Sequence, residues 1–493
     1  MKRTSAASGV LVAGFGGLAL TLAWLSLPWP LVHDAPIMHY IAWRIGEGAV
    51  PYRDLFDMNV PGIYLLHLAV LRFLGPADLA WRAFDLFALA MAAIAIAAVA
   101  RPWGRLAAVG SALAFACYHL AGGAWQAGQR DFLLCPFLLA GALGVARWIE
   151  RRRDGESAGR ASLAWGGLGM GAAVAIKPHA LAFAALLGAV VIATAWRAGD
   201  ATALPALAYA AGVAAVPLAL LVWLAAIGGL GPWWRIVTTY LVPLYSRLGR
   251  SSPWTVYRWQ VWIPMGLAAA LSVASAAWHR RFGPRHLVAL LGVVYGVVHY
   301  VGQGKGWEYH LYPLAAFVAV LMFAELEPLL ARRLVLGAPL AASLLAVLAL
   351  LAAKGVEAST ASWAWDKERR ARICAADIAI RMRPGDTVQV LDTTDGGLHA
   401  LLLLGVRQPT RFLYDFHFFH DTGTPVVRAL RAELIRDLDA RPPRFIVVFE
   451  RGWPAGGYER IDTFPELRER LATRYAPAQR RLGYVLYAKR NDP

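Results

Sequence analysis

Charge is scarce in this sequence. Only 16% of its 493 residues are Asp, Glu, Lys or Arg, where soluble domains carry about 25%. That shortfall excludes an ordinary soluble enzyme. Cysteine is scarcer still. Cys117 and Cys135 lie in apolar runs and Cys374 in a polar one, so no disulfide framework is implied. Acidic residues are outnumbered, 32 against 49 basic, for a net charge of +17. Such an excess can signal nucleic acid, but here it is divided among short gaps between apolar runs, and no nucleic-acid partner is expected. No internal repeat of fixed period is present. No small-residue cleavage site follows "LAWLSLPWPLV", so the first apolar run reads as a retained helix rather than a removed signal.

Hydrophobic residues make up 58% of the chain. Apolar stretches of about 17–25 residues, each long enough to cross a bilayer as a helix, recur through residue 353. The fold class is a polytopic α-helical membrane protein. Taking the N-terminus as cytoplasmic, about eleven spans are expected over 8–31, 79–100, 105–122, 131–149, 161–177, 179–196, 203–228, 259–278, 286–302, 311–329 and 334–353. With that count Arg101 and Arg105, Arg147 and Arg151 to Arg153, Arg197, Arg280, Arg281 and Arg285, and Arg332 and Arg333 all face the cytoplasm, as the positive-inside rule requires. The long loop 32–78 and the aromatic, proline-rich loop 229–258 then face outward, with amphipathic helices lying in the interface.

Composition changes near residue 354. "DTVQVLD", "RFIVVFE" and "GYVLYAKR" read as strands between helices over "WAWDKERRARICAADIAIRM", "GTPVVRALRAELIRDLDA" and "FPELRERLATRY". The alternation predicts a small α/β domain. Residues 1–353 therefore form a membrane domain, and 354–493 a tail on the outer side, the periplasm of a Gram-negative cell, with the chain in the inner membrane.

Candidate chemistry should share the outer face. Asp34, directly after the first span, stands where a helix N-cap would, before "APIMHYIAWRI". A carboxylate pinned there is also well placed as a general base. Asp54 and Asp57 in "YRDLFD" read as turn or interface residues. Asp131 and Arg130 open the fourth span and read equally as an interfacial pair or as functional groups. Lys177 ends an apolar helix and could snorkel to headgroups, yet a lone outward lysine runs against the positive-inside pattern and intramembrane charge marks function. In "QGKGWEYH", residues 303–310, Lys305 sits between two glycines that allow close backbone approach to a ligand. Trp307 and Tyr309 suit the interface, Glu308 reads as exposed, and His310 as either a substrate contact or a packing residue. His417, His420 and Asp421 in "FLYDFHFFHD" have a spacing a divalent metal could use, but the surrounding aromatics favour packing. "TTDGG", 393–397, follows a strand yet matches no phosphate loop.

Several of these motifs, in this order, resemble the GT-C membrane glycosyltransferases. They are an acid after the first span, "GAVPYRD", "LAWRAFDLFALAMAAIAIAAVA" with Arg82, "QRDFLL", "GAAVAIKPHAL" and "KGWEYHLYPL". The branch resembled contains lipid A aminoarabinose transferases and protein O-mannosyltransferases. The resemblance implies transfer of a sugar from a polyprenyl-phosphate carrier to a lipid, glycan or protein acceptor at the periplasmic face. It implies Asp34 as general base, Asp131 as a second acid, and Lys177, Lys305 and Arg130 as phosphate-binding cations beside Tyr309 and His310. No cofactor or metal is required by these residues. The chemistry is coherent: the acceptor hydroxyl needs a base, the sugar C1 develops oxocarbenium character, and the departing phosphate needs cations.

The sequence departs from the family in two places. Asp34 is followed by alanine where many relatives carry a second acid, and "NVPG" replaces a lysine followed by two prolines. Arg53 and Arg72 are the cations nearest to that missing lysine. A flippase for lipid-linked glycans would explain the spans, but not a carboxylate-bearing first loop and a folded tail. A polysaccharide ligase with a diphosphate-linked donor would lean on arginines and a histidine in one late outer loop.

Overall fold

The structure, a computed structural model, describes residues 6–155, 159–199, 203–252, 254–255, 259–331 and 335–490. The chain divides into two compact units. The first comprises 1–29, 78–220 and 251–361, and the second 30–77, 221–250 and 362–493.

The first unit is helical. Its helices include Ala6–Ser26, Asp78–Ala100, Arg105–Leu120, Cys135–Arg153, Ala161–Ile176, Ala180–Arg197, Trp259–Trp278, Pro284–Gln303, Tyr312–Met322 and Gly337–Thr360. The first of them is apolar on every face. In Ala6–Ser26 the positions Leu11, Phe15, Ala19 and Leu22 are buried while Leu20 and Trp24 are 75% exposed. An all-round apolar helix suits lipid on its outer side. Among the described residues, eight helices are long and apolar enough to cross a membrane. The other three expected spans, 105–122, 161–177 and 311–329, correspond to shorter apolar helices, Arg105–Leu120, Ala161–Ile176 and Glu308–Met322. Ala161–Ile176 packs on Cys135–Arg153 through glycines: a Cβ on Gly144 would lie 2.7 Å from Gly166 Cα. Small residues let the two backbones close without lipid between them.

The second unit carries helices Asp34–Gly46 and Pro61–Phe73 from the first loop, then Leu230–Ile236 continuing into a π-helical stretch Val237–Tyr245. Its sheet has four strands: β1 (Val388–Leu391), β2 (Phe445–Phe449), β3 (Tyr475–Arg481) and β4 (Tyr484–Lys489), in the order β1-β2-β4-β3. β1 and β2 run parallel, with Val388 opposite Phe445, and the other pairs are antiparallel. Both parallel strands are wholly buried, which gives them the continuous apolar runs seen in the sequence. The sequence predicts three strands. β3, "YAPAQRR", was not among them because it is a polar edge strand interrupted by Pro477, a residue tolerated only at sheet edges.

Candidate active site

Two buried polar networks occupy the first unit, and the segment 121–132 contributes to both. The first surrounds Asp131, whose side chain is fully buried. Lys177 Nζ lies 2.8 Å from Oδ1 and 2.6 Å from Oδ2. His299 Nε2 is 2.5 Å from Oδ1, and the Gln303 amide donates to the same oxygen at 3.2 Å. Tyr295 lies 3.3 Å from the other imidazole nitrogen, Nδ1. Local sequence sets this geometry. Lys177 leaves helical conformation where Ala161–Ile176 ends before Pro178, while His299 and Gln303 lie one turn apart near the end of Pro284–Gln303.

The second network surrounds Asp85. Arg82, one helical turn earlier, forms a buried ion pair with it. His119 Nε2 lies 3.0 Å from Asp85 Oδ2, and His119 Nδ1 lies 2.7 Å from the Tyr312 hydroxyl. The Gly128 N–H donates to Asp85 Oδ1 at 2.6 Å. Arg82 also donates to Ser26 Oγ at 2.6 Å and lies over the Trp29 ring. The networks meet at Phe132, which stacks on His119 with ring centroids 3.9 Å apart. Asp85 thus holds the backbone three residues before Asp131. None of Asp85, His119, His299 and Gln303 was singled out from the sequence. Their signal was available as polar residues at helical spacing inside apolar runs.

Lys305 is buried between Gly304 and Gly306, which adopt φ of 62° and 67°. Only glycine takes this left-handed conformation readily. The Ser251 N–H donates to the Gly304 carbonyl at 2.8 Å. Glu308 departs from its expected exposure: it is buried in an ion pair with Lys354, whose Nζ also lies 5.5 Å from the Tyr118 ring centroid. An unpaired carboxylate there would be costly, and its partner lies 46 residues downstream. Tyr309 is wedged between Trp125 and Trp307, with His310 edge-on to it at 4.6 Å. The His310 and His299 rings are 6.3 Å apart. Asp131, Lys177 and His310 are therefore brought together, and Lys305 and Tyr309 belong to the same turn as His310. Arg130, half-buried, precedes Asp131 in the short helix Arg130–Leu133.

In the second unit Asp34 is the first residue of helix Asp34–Gly46 rather than its cap. The cap position is His33, with a φ of 63°. His33 Nδ1 is 3.8 Å from Asp34 Oδ1. Burial, aided by Lys367, holds the His33 imidazole below the ordinary histidine range. His33 lines a small cavity with Lys367, Asp392, Thr394 and His399. The "TTDGG" turn is explained here. Asp392 accepts the N–H groups of Asp395, Gly396 and Gly397 at 2.9, 3.0 and 2.7 Å. Burial, then neighbouring Asp395, pushes its carboxyl up to about 6. Asp57 is buried and accepts the Tyr64 hydroxyl at 2.7 Å. Arg53, a candidate for the missing lysine, is paired with Asp54. His417 and His420 both meet the Tyr240 hydroxyl, at 2.8 and 2.7 Å.

Buried ion pairs inside an apolar helical unit, with a small mixed-sheet unit beside them in sequence, define the class: a multi-pass membrane protein with the GT-C fold. The fold is shared with ArnT from Cupriavidus metallidurans bound to undecaprenyl phosphate. That match has 15% identity, covers 98% of each chain and has a TM-score of 0.62. The apo state of the same protein matches with a TM-score of 0.58, again at 15% identity over 98% of each chain. The archaeal oligosaccharyltransferase AglB from Archaeoglobus fulgidus, in complex with an inhibitory peptide and a dolichol-phosphate, matches at 13% identity. There the alignment covers 89% of this chain and 69% of that one, with a TM-score of 0.51. No protein-family profile and no curated protein sequence matches the chain.

Proposed function

We propose that this protein is a glycosyltransferase of the bacterial inner membrane. It moves a monosaccharide from a polyprenyl-phosphate carrier to a lipid, glycan or protein acceptor at the periplasmic face. The observation that carries this reading is the desolvated Asp131–Lys177–His299–Gln303 cluster, in a fold shared with a protein seen bound to undecaprenyl phosphate. Burying a carboxylate with three donors serves chemistry better than stability, because such an ion pair contributes little net folding energy.

The proposed step is a single displacement. The acceptor oxygen bonds to the sugar C1 as the C1–O bond to phosphate breaks, and the electron pair leaves with the phosphate. Asp34 takes the acceptor proton, and the product inverts at C1. Lys177 is already chelated by both Asp131 oxygens, so its charge supports Asp131, which orients acceptor or sugar. Lys305 and Arg130 are then the cations for the departing phosphate, with Tyr309 and His310 flanking them. Purified protein supplied with polyprenyl-phosphate sugars and candidate acceptors tests this. Turnover in wild type should fall by about 10²-fold or more in Asp34→Asn; wild-type rates in that variant would remove Asp34 as base.

A further inference from the structure

Gln126 is 1% exposed, yet neither end of its amide has a hydrogen-bond partner among the described residues. His310 Nδ1 and the Tyr118 hydroxyl, on side chains of similar burial, are unpartnered in the same way. Native proteins seldom leave a buried amide wholly unpaired, so such a group requires an explanation. The backbone that carries it is fixed. Gln126 closes a 3-10 turn, Ala124–Gln126, through its own N–H to Gly123 O at 3.0 Å. The Gln129 N–H returns to Gln126 O at 3.2 Å, and Gly128 is pinned by Asp85. The side chain folds over Gly122, where any Cβ would overlap it. Its chain neighbour Trp125 leads toward His310 through contacting rings: Trp125 meets Tyr309 at 5.8 Å, and Tyr309 meets His310 at 4.6 Å.

We propose that Gln126, with His310, is a sugar-recognition subsite whose amide and imidazole pair with hydroxyl groups of the carrier-linked monosaccharide. An amide offers both donors and an acceptor without charge. That set matches neutral hydroxyls, while the phosphate is better served by the cations. Its position fits this role, since five residues separate Gln126 from Asp131 and the His310 ring lies 6.3 Å from that of His299. The proposal rests on the glycosyl-transfer reading for the carrier, but its test reads binding.

Thermal stability of the full-length protein in detergent is measured with sugar-free polyprenyl phosphate and with polyprenyl-phosphate hexoses, pentoses and hexosamines. At least one sugar-bearing carrier should stabilise wild type beyond the sugar-free one. Gln126→Met should weaken that carrier by about tenfold or more while leaving sugar-free affinity unchanged. Its ligand-free melting temperature should equal or exceed that of wild type, because an unpaired amide has been removed. His310→Gln should restore part of the sugar selectivity that His310→Leu loses. The proposal is overturned if no sugar-bearing carrier outperforms sugar-free carrier. It is equally overturned if Gln126→Met melts lower and binds sugar as wild type does, which would mean that water satisfies the amide. Sugar-selective binding without any transfer would instead remove the glycosyl-transfer reading and leave the subsite standing.

Discussion

Replacing Asp85 by asparagine preserves shape and keeps an acceptor for the Gly128 N–H, but removes the charge opposite Arg82. Both partners are buried, with side chains at most 1% exposed. Deleting one member of such a pair leaves the other uncompensated, at about 3–5 kcal/mol. His119 also loses its anionic acceptor. We therefore expect Asp85→Asn to be destabilised by about that amount, or roughly 10²–10⁴ in the unfolding equilibrium. Cys117, Cys135 and Cys374 are free and buried, so thiol labelling in detergent reports unfolding directly. A double variant, Arg82→Met with Asp85→Leu, removes both charges and should recover most of the stability. Unlike the single variant it removes the acceptor of the Gly128 N–H, so the segment leading to Asp131 loosens and transfer is impaired although stability returns. A loss below about 1 kcal/mol in the single variant, or full activity in the stable double, would refute the reasoning.

Further expectations concern other parts of the molecule. Glu308→Gln or Lys354→Met alone should lower stability by about 3–5 kcal/mol, and Glu308→Gln combined with Lys354→Met by much less, as a thermal-unfolding cycle would show. Gly306→Ala forces a left-handed alanine and brings its Cβ against Ser251 Oγ. It should weaken polyprenyl-phosphate binding and lower stability by about 1–2 kcal/mol, whereas a silent Gly306→Ala would show that the Lys305 turn is not needed in this form. In the second unit, burial depresses His39 to about 4 and His399 to about 3. A histidine with a lowered folded pKa stabilises fully above its unfolded value of 6.5 and loses that contribution as pH falls toward the folded value. Between pH 6.5 and 4 each should withdraw on the order of 3 kcal/mol, visible as faster hydrogen exchange in 34–46 and 397–404. Protection unchanged at pH 4 would contradict it.

What could be read in advance follows from the range of the interaction. Apolar runs and alternating patterns are local, so the helices, the two buried parallel strands and the tail were legible. Asp131 and Lys177 were legible as charges in apolar surroundings, but their mutual ion pair was not, because 46 residues separate them. Glu308 was misjudged for the same reason: its partner Lys354 lies 46 residues downstream. Arg82 and Asp85 stood one turn apart in an otherwise apolar run. That spacing is a local sign of a buried pair. The Asp34 cap failed because His33 takes the cap position in a conformation that sequence does not announce.

The central claim is sugar transfer from a phosphate carrier, and one reconstituted assay addresses it. Proteoliposomes are loaded with a polyprenyl-phosphate monosaccharide radiolabelled in the sugar and an acceptor glycolipid, and both products are followed. The account predicts one polyprenyl phosphate released for every acceptor glycosylated, inversion at C1, and loss of both products in Asp131→Asn. Label crossing the bilayer with the carrier intact, or release of a diphosphate in place of the monophosphate, would contradict it.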